Sequence, residues 1–219
     1  MAPYTATAEK DGVVLRPFRE DDFEPMVRLV ATLWHDGCAT ASGALTSARQ
    51  ELSYHLSHAR RAMAAIDTTD DDRILGMALV NGEPDDERWE RISEGIWAEV
   101  ASDDTYGGDV AESRELCAAE AALMAETLAA DPSPHEIGQL QLLIVDPAAQ
   151  GRHVGSRLMR DALDSLAKAG HTRYRLSTDD ACNVGFYEHI GLHRVASSPT
   201  RVIGEKGLPL NIYVFEGDL

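Results

Sequence analysis

The chain has 219 residues, 44% of them hydrophobic, and a formal net charge of −17 at pH 7. This length is sufficient for one sizeable core, so a single domain spanning residues 1–219 is favoured over two. The excess of 37 Asp and Glu over 20 Lys and Arg argues against nucleic-acid binding, which requires a dense cationic face. It favours neutral or cationic partners, although an acidic surface can also serve solubility alone.

Cysteine spacing and hydropathy restrict the cellular setting. The three cysteines, Cys38, Cys117 and Cys182, show no paired spacing, so neither a disulfide framework nor a metal site is expected. The first ten residues lack the apolar segment of a signal peptide, and no apolar run approaches the roughly 18 residues that span a bilayer. We therefore expect a cytoplasmic protein without membrane contact.

The first third of the chain predicts a strand, two helices and a strand pair. Residues 13–17 are typical of a strand, and residues 19–34 combine an acidic start with helical apolar spacing. A second helix is predicted over about 45–61. Strands are predicted at 62–68 and 73–80, around an acidic turn.

Residues 82–136 are predicted to be an insertion between the third and fourth strands. The segment is largely polar, but residues 115–128 have strong helix propensity. Its aromatic residues could line a substrate pocket, although packing of the insertion onto the body is favoured. They are Trp89, Trp97 and Tyr106.

The last third alternates strands and helices. A strand at 138–145 leads to a helix over about 155–169, whose apolar row is followed by a stop at Gly170. The row consists of Leu158, Ala162 and Leu166. The remaining predictions are strands at 172–177, 192–195 and 211–215 and a short helix at 183–189. Together the elements predict a mixed sheet with helices on both faces.

The most informative stretch joins the buried strand 140–147 to a helix start. Residues 150–159 carry glycines at 151 and 155, which let the backbone approach a ligand closely. The first turn of a helix adds unpaired amides and the positive end of its dipole. Positive charge could come from Arg152, His153, Arg157 and Arg160, unless these side chains only face solvent. The stretch predicts a pyrophosphate site.

Three segments resemble the GNAT family of N-acetyltransferases. They are Ile-Val-Asp-Pro at 144–147, Gln-Gly-Arg-His-Val-Gly at 150–155 and Asn-Val-Gly-Phe-Tyr-Glu-His-Ile-Gly at 183–191. The resemblance implies an α/β fold whose mixed, mostly antiparallel twisted sheet of about six to seven strands is flanked by helices. It implies that this sheet is splayed at the acetyl-CoA strand and that acetyl-CoA is the co-substrate.

The resemblance also implies which residues hold the coenzyme. Residues 143–145 would bind the pantetheine arm through strand-like backbone hydrogen bonds, and backbone amides within 151–156 would bind the pyrophosphate. The implied coenzyme-binding residues are Leu143, Ile144, Val145, Gln150, Gly151, Arg152, His153, Val154, Gly155, Ser156 and Asn183. One position departs from the family, because His153 stands where the pattern Gln/Arg-x-x-Gly-x-Gly/Ala has its first glycine. Histidine tolerates positive φ, so we expect the loop to keep its shape.

Acetyl transfer to an amine needs a proton for the departing thiolate, and the resemblance assigns this task to Tyr187. Asn183 lies one turn earlier on the same helix face, where it could reach the coenzyme arm or cap the helix. Many family members place this asparagine at the position of Asp180.

The sequence does not identify a general base. The strand before the coenzyme loop offers Gln139 and Gln141, which cannot take a proton. Three residues near strand ends could serve directly or through water, but exposed structural roles are favoured: Glu83, His135 and Glu136. His55 and His58 lack a third metal ligand by spacing and are interpreted as surface residues.

The sequence thus predicts an enzyme that transfers an acetyl group from acetyl-CoA to a primary amine, by direct attack in a ternary complex. The acceptor could be a small cationic amine or a peptide amine, and a homodimer is possible. An alternative is a non-catalytic coenzyme-A-binding sensor or interaction module with the same fold. A ping-pong route through Cys182 is disfavoured, and a Rossmann domain lacks its G-x-G-x-x-G motif.

Overall fold

The computed structural model describes residues 11–82, 87–182, 184–203 and 208–219. Its strands are β1 (Val13–Pro17), β2 (Ala59–Asp67), β3 (Arg73–Asn81), β4 (Ile137–Val145), β5 (Arg173–Asp179), β6 (His193–Ile203) and β7 (Pro209–Asp218). Its helices are α1 (Phe23–Trp34), α2 (Ala41–Ser57), α3 (Arg88–Val100), α4 (Gly107–Ala129), α5 (Val154–Lys168) and α6 (Val184–His189).

The seven strands form one sheet in the order β1-β2-β3-β4-β5-β7-β6. All neighbours are antiparallel except β4 and β5, which are parallel. This arrangement confirms the predicted mixed, mostly antiparallel sheet flanked by helices. Within the described part of the chain, no helix is long and apolar enough to cross a membrane.

Apolar clusters cover both faces of the sheet. On one face α5 contributes the predicted row of Leu158, Ala162 and Leu166, all of which are buried. On the other face α1 and α2 pack over β2, β3 and β4 through residues such as Met26 and Leu52. A smaller cluster joins α4 to β7. The helical periodicity of the sequence therefore correctly predicted the buried face of α5.

The sheet opens into a fork between β4 and β5. These strands pair only where Ile137–Gln139 meets Arg173–Arg175. Beyond that point β4 stays with β3 and β5 stays with β7, so the two strands diverge. From residue 140 to 145, the β4 edge that faces β5 has no strand partner in the described structure. The predicted splay is thus confirmed.

The predicted bounds of α2 are wrong at both ends. Its start lies at Ala41, because the Thr40 hydroxyl accepts a hydrogen bond from the Gly43 amide at 2.9 Å and caps the helix. It ends at Ser57 rather than at 61, because β2 already begins at Ala59 and pairs with β3. Long-range pairing with β3 therefore overrides the local helical pattern.

The described part of residues 82–136 contains two α-helices rather than one. The polarity of the segment prevented the prediction of α3, whose buried stripe includes Trp89. The second helix, α4, is longer than the predicted 115–128. The Trp89 ring lies 4.9 Å from the Phe23 ring, which confirms packing onto the body. Trp97 lies beneath the Arg114 guanidinium group, 4.8 Å away.

Candidate active site

An open cleft of about 690 Å³ lies beside the fork. It is bounded by the free edge of β4, the loop that follows β4, α5 and α6. Its walls combine apolar side chains with a polar end at the loop. The lining includes Leu143, Val145, Gln150, Gly151, His153, Val154, Gly155, Ser156, Met159, Arg160, Leu163, Phe186 and Ile190. An elongated ligand with an apolar arm and an anionic end would fit such a cleft.

The loop between β4 and α5 has a fixed, unusual backbone. The Asp146 amide donates to the Leu75 carbonyl at 2.8 Å, and the Asp146 carboxylate accepts from the Ala148 amide, also at 2.8 Å. Gly151 then adopts φ +83° and His153 φ +57°, both in the left-handed region. The structure therefore confirms that His153 takes the conformation that a glycine would supply.

The first turn of α5 presents backbone donors to the cleft. The helix ladder starts with the bond from the Arg157 amide to the His153 carbonyl at 3.1 Å. The preceding amides of Val154, Gly155 and Ser156 therefore have no partner within the helix, and all three residues line the cleft. The His153 side chain does not cap the helix. Backbone donors and the helix dipole together form an anion site.

The predicted cationic cluster is divided by the tertiary structure. Arg152 forms an ion pair with Asp67 and lies outside the cleft lining. Arg157 donates to the Val13 carbonyl at 3.1 Å. Of the four predicted side chains, only His153 and Arg160 line the cleft. Positive charge therefore reaches the anion site from the Arg160 side chain and the helix terminus.

The left-handed conformation of His153 predicts a stability difference. His153→Val should lower the free energy of unfolding by about 1–2 kcal/mol, because a β-branched residue is strained at positive φ. His153→Gly is the matched control. Its free energy of unfolding should be no more than about 0.5 kcal/mol below that of the wild type. Thermal unfolding would measure both, and an unchanged melting temperature for the valine variant would contradict the prediction.

Tyr187 lies on α6 at the root of the fork. Its ring is 5.5 Å from the Phe186 ring and 5.7 Å from that of Phe215 on β7. Phe186 lines the cleft, whereas Tyr187 packs against the core beside it. Burial raises the pKa of Tyr187 to about 12, and the neighbouring Cys182 adds to this shift. The phenol therefore stays protonated at neutral pH and can act as a proton donor.

A second cavity, of about 160 Å³, opens at the fork between the sheet, α2 and α4. We call it the α4 cavity. It is lined by Tyr54, His55, His58, Asn81, Cys117, Glu120, Ala121, Met124, Ala125, Leu128, Gln139, Leu140, Gln141 and Ser177. Gln141 is the extra residue of a β-bulge, since Leu142 pairs with Leu79 and Leu140 with Val80. The bulge directs polar side chains of β4 into the α4 cavity.

A chain of hydrogen bonds joins the bulge to α2. Asn81 Nδ2 donates to Gln141 Oε1 at 2.9 Å, so Gln141 Nε2 donates to His55 Nδ1 at 3.1 Å. Neutral His55 then carries its proton on Nε2, which lies 3.9 Å from Glu51 Oε1. The metal-ligating atoms of Glu51, His55 and Cys117 lie within 4.8 Å of one another. A protonated Nε2 has no lone pair for a metal ion, so this arrangement does not fit a zinc site.

Two glutamates near the α4 cavity have opposite protonation behaviour. Burial alone would raise the pKa of Glu51, but the hydrogen bond with His35 and the nearby imidazole of His55 lower it to about 2. The His35 bond to the Glu51 carboxylate is 2.7 Å long. Burial raises the pKa of Glu120 to about 8, and the negative charges of Asp179 and Glu51 add to the shift. Glu51 is therefore anionic at neutral pH, whereas Glu120 gains or loses its proton close to neutral pH.

A family model described as the acetyltransferase (GNAT) family matches residues 29–192, well over half of the chain. The chain belongs to the GNAT acetyltransferase family. A comparison with curated proteins gives no match.

Solved structures share the fold of this GNAT protein. A GCN5-related N-acetyltransferase from Kribbella flavida is 13% identical, with a TM-score of 0.54 over 95% of this chain and 99% of that one. The ribosomal-protein-S18-alanine N-acetyltransferase from Escherichia coli is 10% identical, with a TM-score of 0.53 over 94% and 93% of the two chains. Ard1 from Thermoplasma volcanium is 14% identical, with a TM-score of 0.51 over 95% and 98%. At these identities the likeness shows the fold alone.

Most of the predicted coenzyme residues meet at the cleft, with three exceptions. The Ile144 side chain is buried in the core on the opposite face, which leaves only its backbone for a ligand. Arg152 does not line the cleft, because its amide donates to the Ala149 carbonyl at 3.2 Å and its guanidinium group pairs with Asp67. Asn183 lies outside the described residues. Asp180 binds Asn211 and Tyr213 of β7 through its carboxylate.

The structure places several candidate bases differently from what the sequence predicted. The interpretation of His55 as a surface residue is wrong, since it is 6% exposed and lines the α4 cavity. His135 and Glu136 lie at the start of β4, away from both cavities, and Glu83 lies outside the described residues. Sequence reasoning missed Glu120. Its spacing from the buried Cys117 and Met124, at i+3 and i+4, was the available signal.

Proposed function

We propose that this GNAT protein transfers the acetyl group of acetyl-CoA to a primary amine in a ternary complex. The observation that carries the proposal is the cleft at the fork, which combines free helix amides with an apolar wall and ends beside Tyr187. In this proposal the amides of Val154, Gly155 and Ser156 hold the pyrophosphate. The open edge of β4 at 143–145 offers backbone hydrogen bonds to the pantetheine arm.

The cleft fits the chemistry of that ligand. Coenzyme A carries several negative charges, and the anion site supplies backbone donors together with Arg160 and His153. Leu143, Met159 and Phe186 provide apolar contacts along the arm. Acetyl-CoA, when bound, supplies a thioester whose carbonyl carbon is open to attack by an amine.

Tyr187 is proposed as the group that protonates the departing thiolate. Its phenol is protonated at neutral pH, and α6 holds it at the root of the fork. The Cys182 residue is exposed, but desolvation of its thiol and the charge of Asp179 raise the pKa to about 11, which makes the thiol a poor nucleophile. Direct attack by the amine is therefore favoured over a ping-pong route through Cys182.

The acceptor is proposed to be a small cationic amine. The α4 cavity lies at the same fork as the cleft, and Glu51, which is anionic at neutral pH, lies behind its lining residue His55. The chain as a whole carries a net charge of −17. Both features favour a second positive charge on the acceptor and disfavour a carboxylate.

An amine screen tests this function. With acetyl-CoA present, thiol release should occur with putrescine, and kcat/KM should be at least tenfold lower with 4-aminobutyrate, in which a carboxylate replaces one ammonium group. Equal rates with the two compounds would refute the preference for a cationic acceptor. Acetyl-CoA binding without acetylation of any amine in a broad panel would refute the enzyme and support the coenzyme-binding module.

A further inference from the structure

The α4 cavity contains one carboxyl group placed to exchange a proton with a ligand at the fork. We propose that Glu120, on α4, is the general base that takes the proton of the acceptor ammonium, an inference that rests on the proposed acetyl transfer. Glu120 stands on the wall opposite Gln139 and Gln141 of β4. Ser177 of β5 completes the fork side of the cavity.

The other proton-binding groups of the cavity are less well placed. His55 uses its Nδ1 to accept from Gln141, and its Nε2 carries the proton. His58 lies on the exposed rim, with its Nδ1 held by the Tyr54 carbonyl at 2.9 Å. The two glutamines have no proton-accepting side chain at neutral pH. Glu120 is therefore the inward-facing group of the described lining that can change its charge near pH 8.

Two carboxyl groups on neighbouring elements act on the proton affinity of Glu120. Glu51 faces it from α2 and Asp179 from β5, and both raise its pKa. The remaining titratable neighbours are Tyr54 of α2, Cys117 of α4, Cys182 before α6 and Tyr187 of α6. All four have raised pKa values and are neutral at pH 7. An entering ammonium group would therefore meet a carboxyl whose proton affinity is close to working pH, as general base catalysis requires.

Two residues move protons in the proposed reaction: Glu120 takes a proton from the acceptor, and Tyr187 gives a proton to the thiolate. The Glu120 carboxylate takes one proton from the ammonium group, directly or through one water, and leaves a neutral amine. The amine nitrogen forms a bond to the thioester carbonyl carbon, the C–S bond breaks, and the departing thiolate takes the Tyr187 proton. The new N-protonated amide returns a proton to the Tyr187 phenolate, and Glu120 releases its proton to solvent.

Glu120→Gln tests the inference on the full chain with acetyl-CoA and putrescine. We expect kcat to fall about 100-fold, while the Kd of acetyl-CoA measured by calorimetry stays within about twofold. The ratio of wild-type to variant rates should rise with pH through about 8 and then level off. Glu120→Asp should recover part of the lost rate, and Glu126→Gln, on an exposed part of the same helix, should match the wild type.

A second acceptor separates a base from a structural role. Methoxyamine is already neutral at pH 7, so Glu120→Gln should acetylate it at a rate within about threefold of the wild type. Equal losses with methoxyamine and putrescine would overturn the base role, as would a variant within threefold of the wild type on putrescine. In both cases the proposed acetyl transfer would still stand. A wild-type protein that acetylates no amine would overturn both proposals.

Discussion

Replacing Tyr187 with phenylalanine is expected to lower the kcat of acetyl transfer about 10³-fold, within the range for loss of a positioned acid. The phenol is the proposed proton donor at the root of the fork, and its pKa of about 12 keeps it protonated through the assay range. The ring still packs against Phe186 and Phe215 after the substitution, so the fold and the cleft are retained. Affinity for acetyl-CoA should therefore stay within about twofold.

The control for this variant is another buried tyrosine. Tyr174→Phe on β5 removes a hydroxyl from a residue that is 3% exposed and does not line the cleft. It should leave kcat within about threefold of the wild type. Thiol release at saturating acetyl-CoA and putrescine measures both variants. A Tyr187→Phe protein that keeps more than a third of the wild-type kcat would show that another group protonates the thiolate.

Replacing Ser156 with glutamate should weaken acetyl-CoA binding by at least about 10²-fold. Ser156 lies in the first turn of α5 and lines the cleft, so a carboxylate there occupies the anion site. Two like charges about 4 Å apart repel by roughly 4 kcal/mol at the effective dielectric constant of a protein surface. The same carboxylate interacts favourably with the helix dipole, so stability should rise by about 0.3–1 kcal/mol.

Weaker acetyl-CoA binding together with higher stability in Ser156→Glu would identify the anion site. Ser156→Gln has nearly the same size without the charge, and its Kd for acetyl-CoA should stay within about fivefold of the wild type. Calorimetry measures the affinity and thermal unfolding measures the stability. If glutamate and glutamine weaken binding equally, steric exclusion explains the loss, and the pyrophosphate lies elsewhere in the cleft.

Local sequence patterns were sufficient to predict the geometry of the cofactor half of the candidate site. The row of Leu158, Ala162 and Leu166 fixed the buried face of α5, and the loop before it needed left-handed backbone at two positions. Gly151 and His153 take those positions. Because a helix start and its preceding turn are built from neighbouring residues, their geometry follows from short-range rules.

The acceptor half could not be predicted in the same way. Glu120 and Gln141 come from elements far apart in the chain and meet only in the α4 cavity. The role of Arg152 also depended on a distant partner, since Asp67 on β2 draws its guanidinium group away from the cleft. The helix over residues 115–128 was recognisable from propensity, but the surface onto which it packs was not.

The sequence by itself determined the strand-loop-helix that is proposed to bind an anion, the alternation of strands and helices, and the GNAT resemblance. The first two depend on residues within about a dozen positions of one another, where backbone sterics and periodicity decide the outcome. The resemblance depends on three short segments between residues 144 and 191, each of which is recognised from neighbouring residues. Only the tertiary structure decided which charges face the cleft, and it alone brought Glu51, Glu120 and Asp179 together. The proton affinity of a carboxyl depends on burial and on the charges of other elements, so neither the role of Glu120 nor its protonation state could be predicted from the sequence.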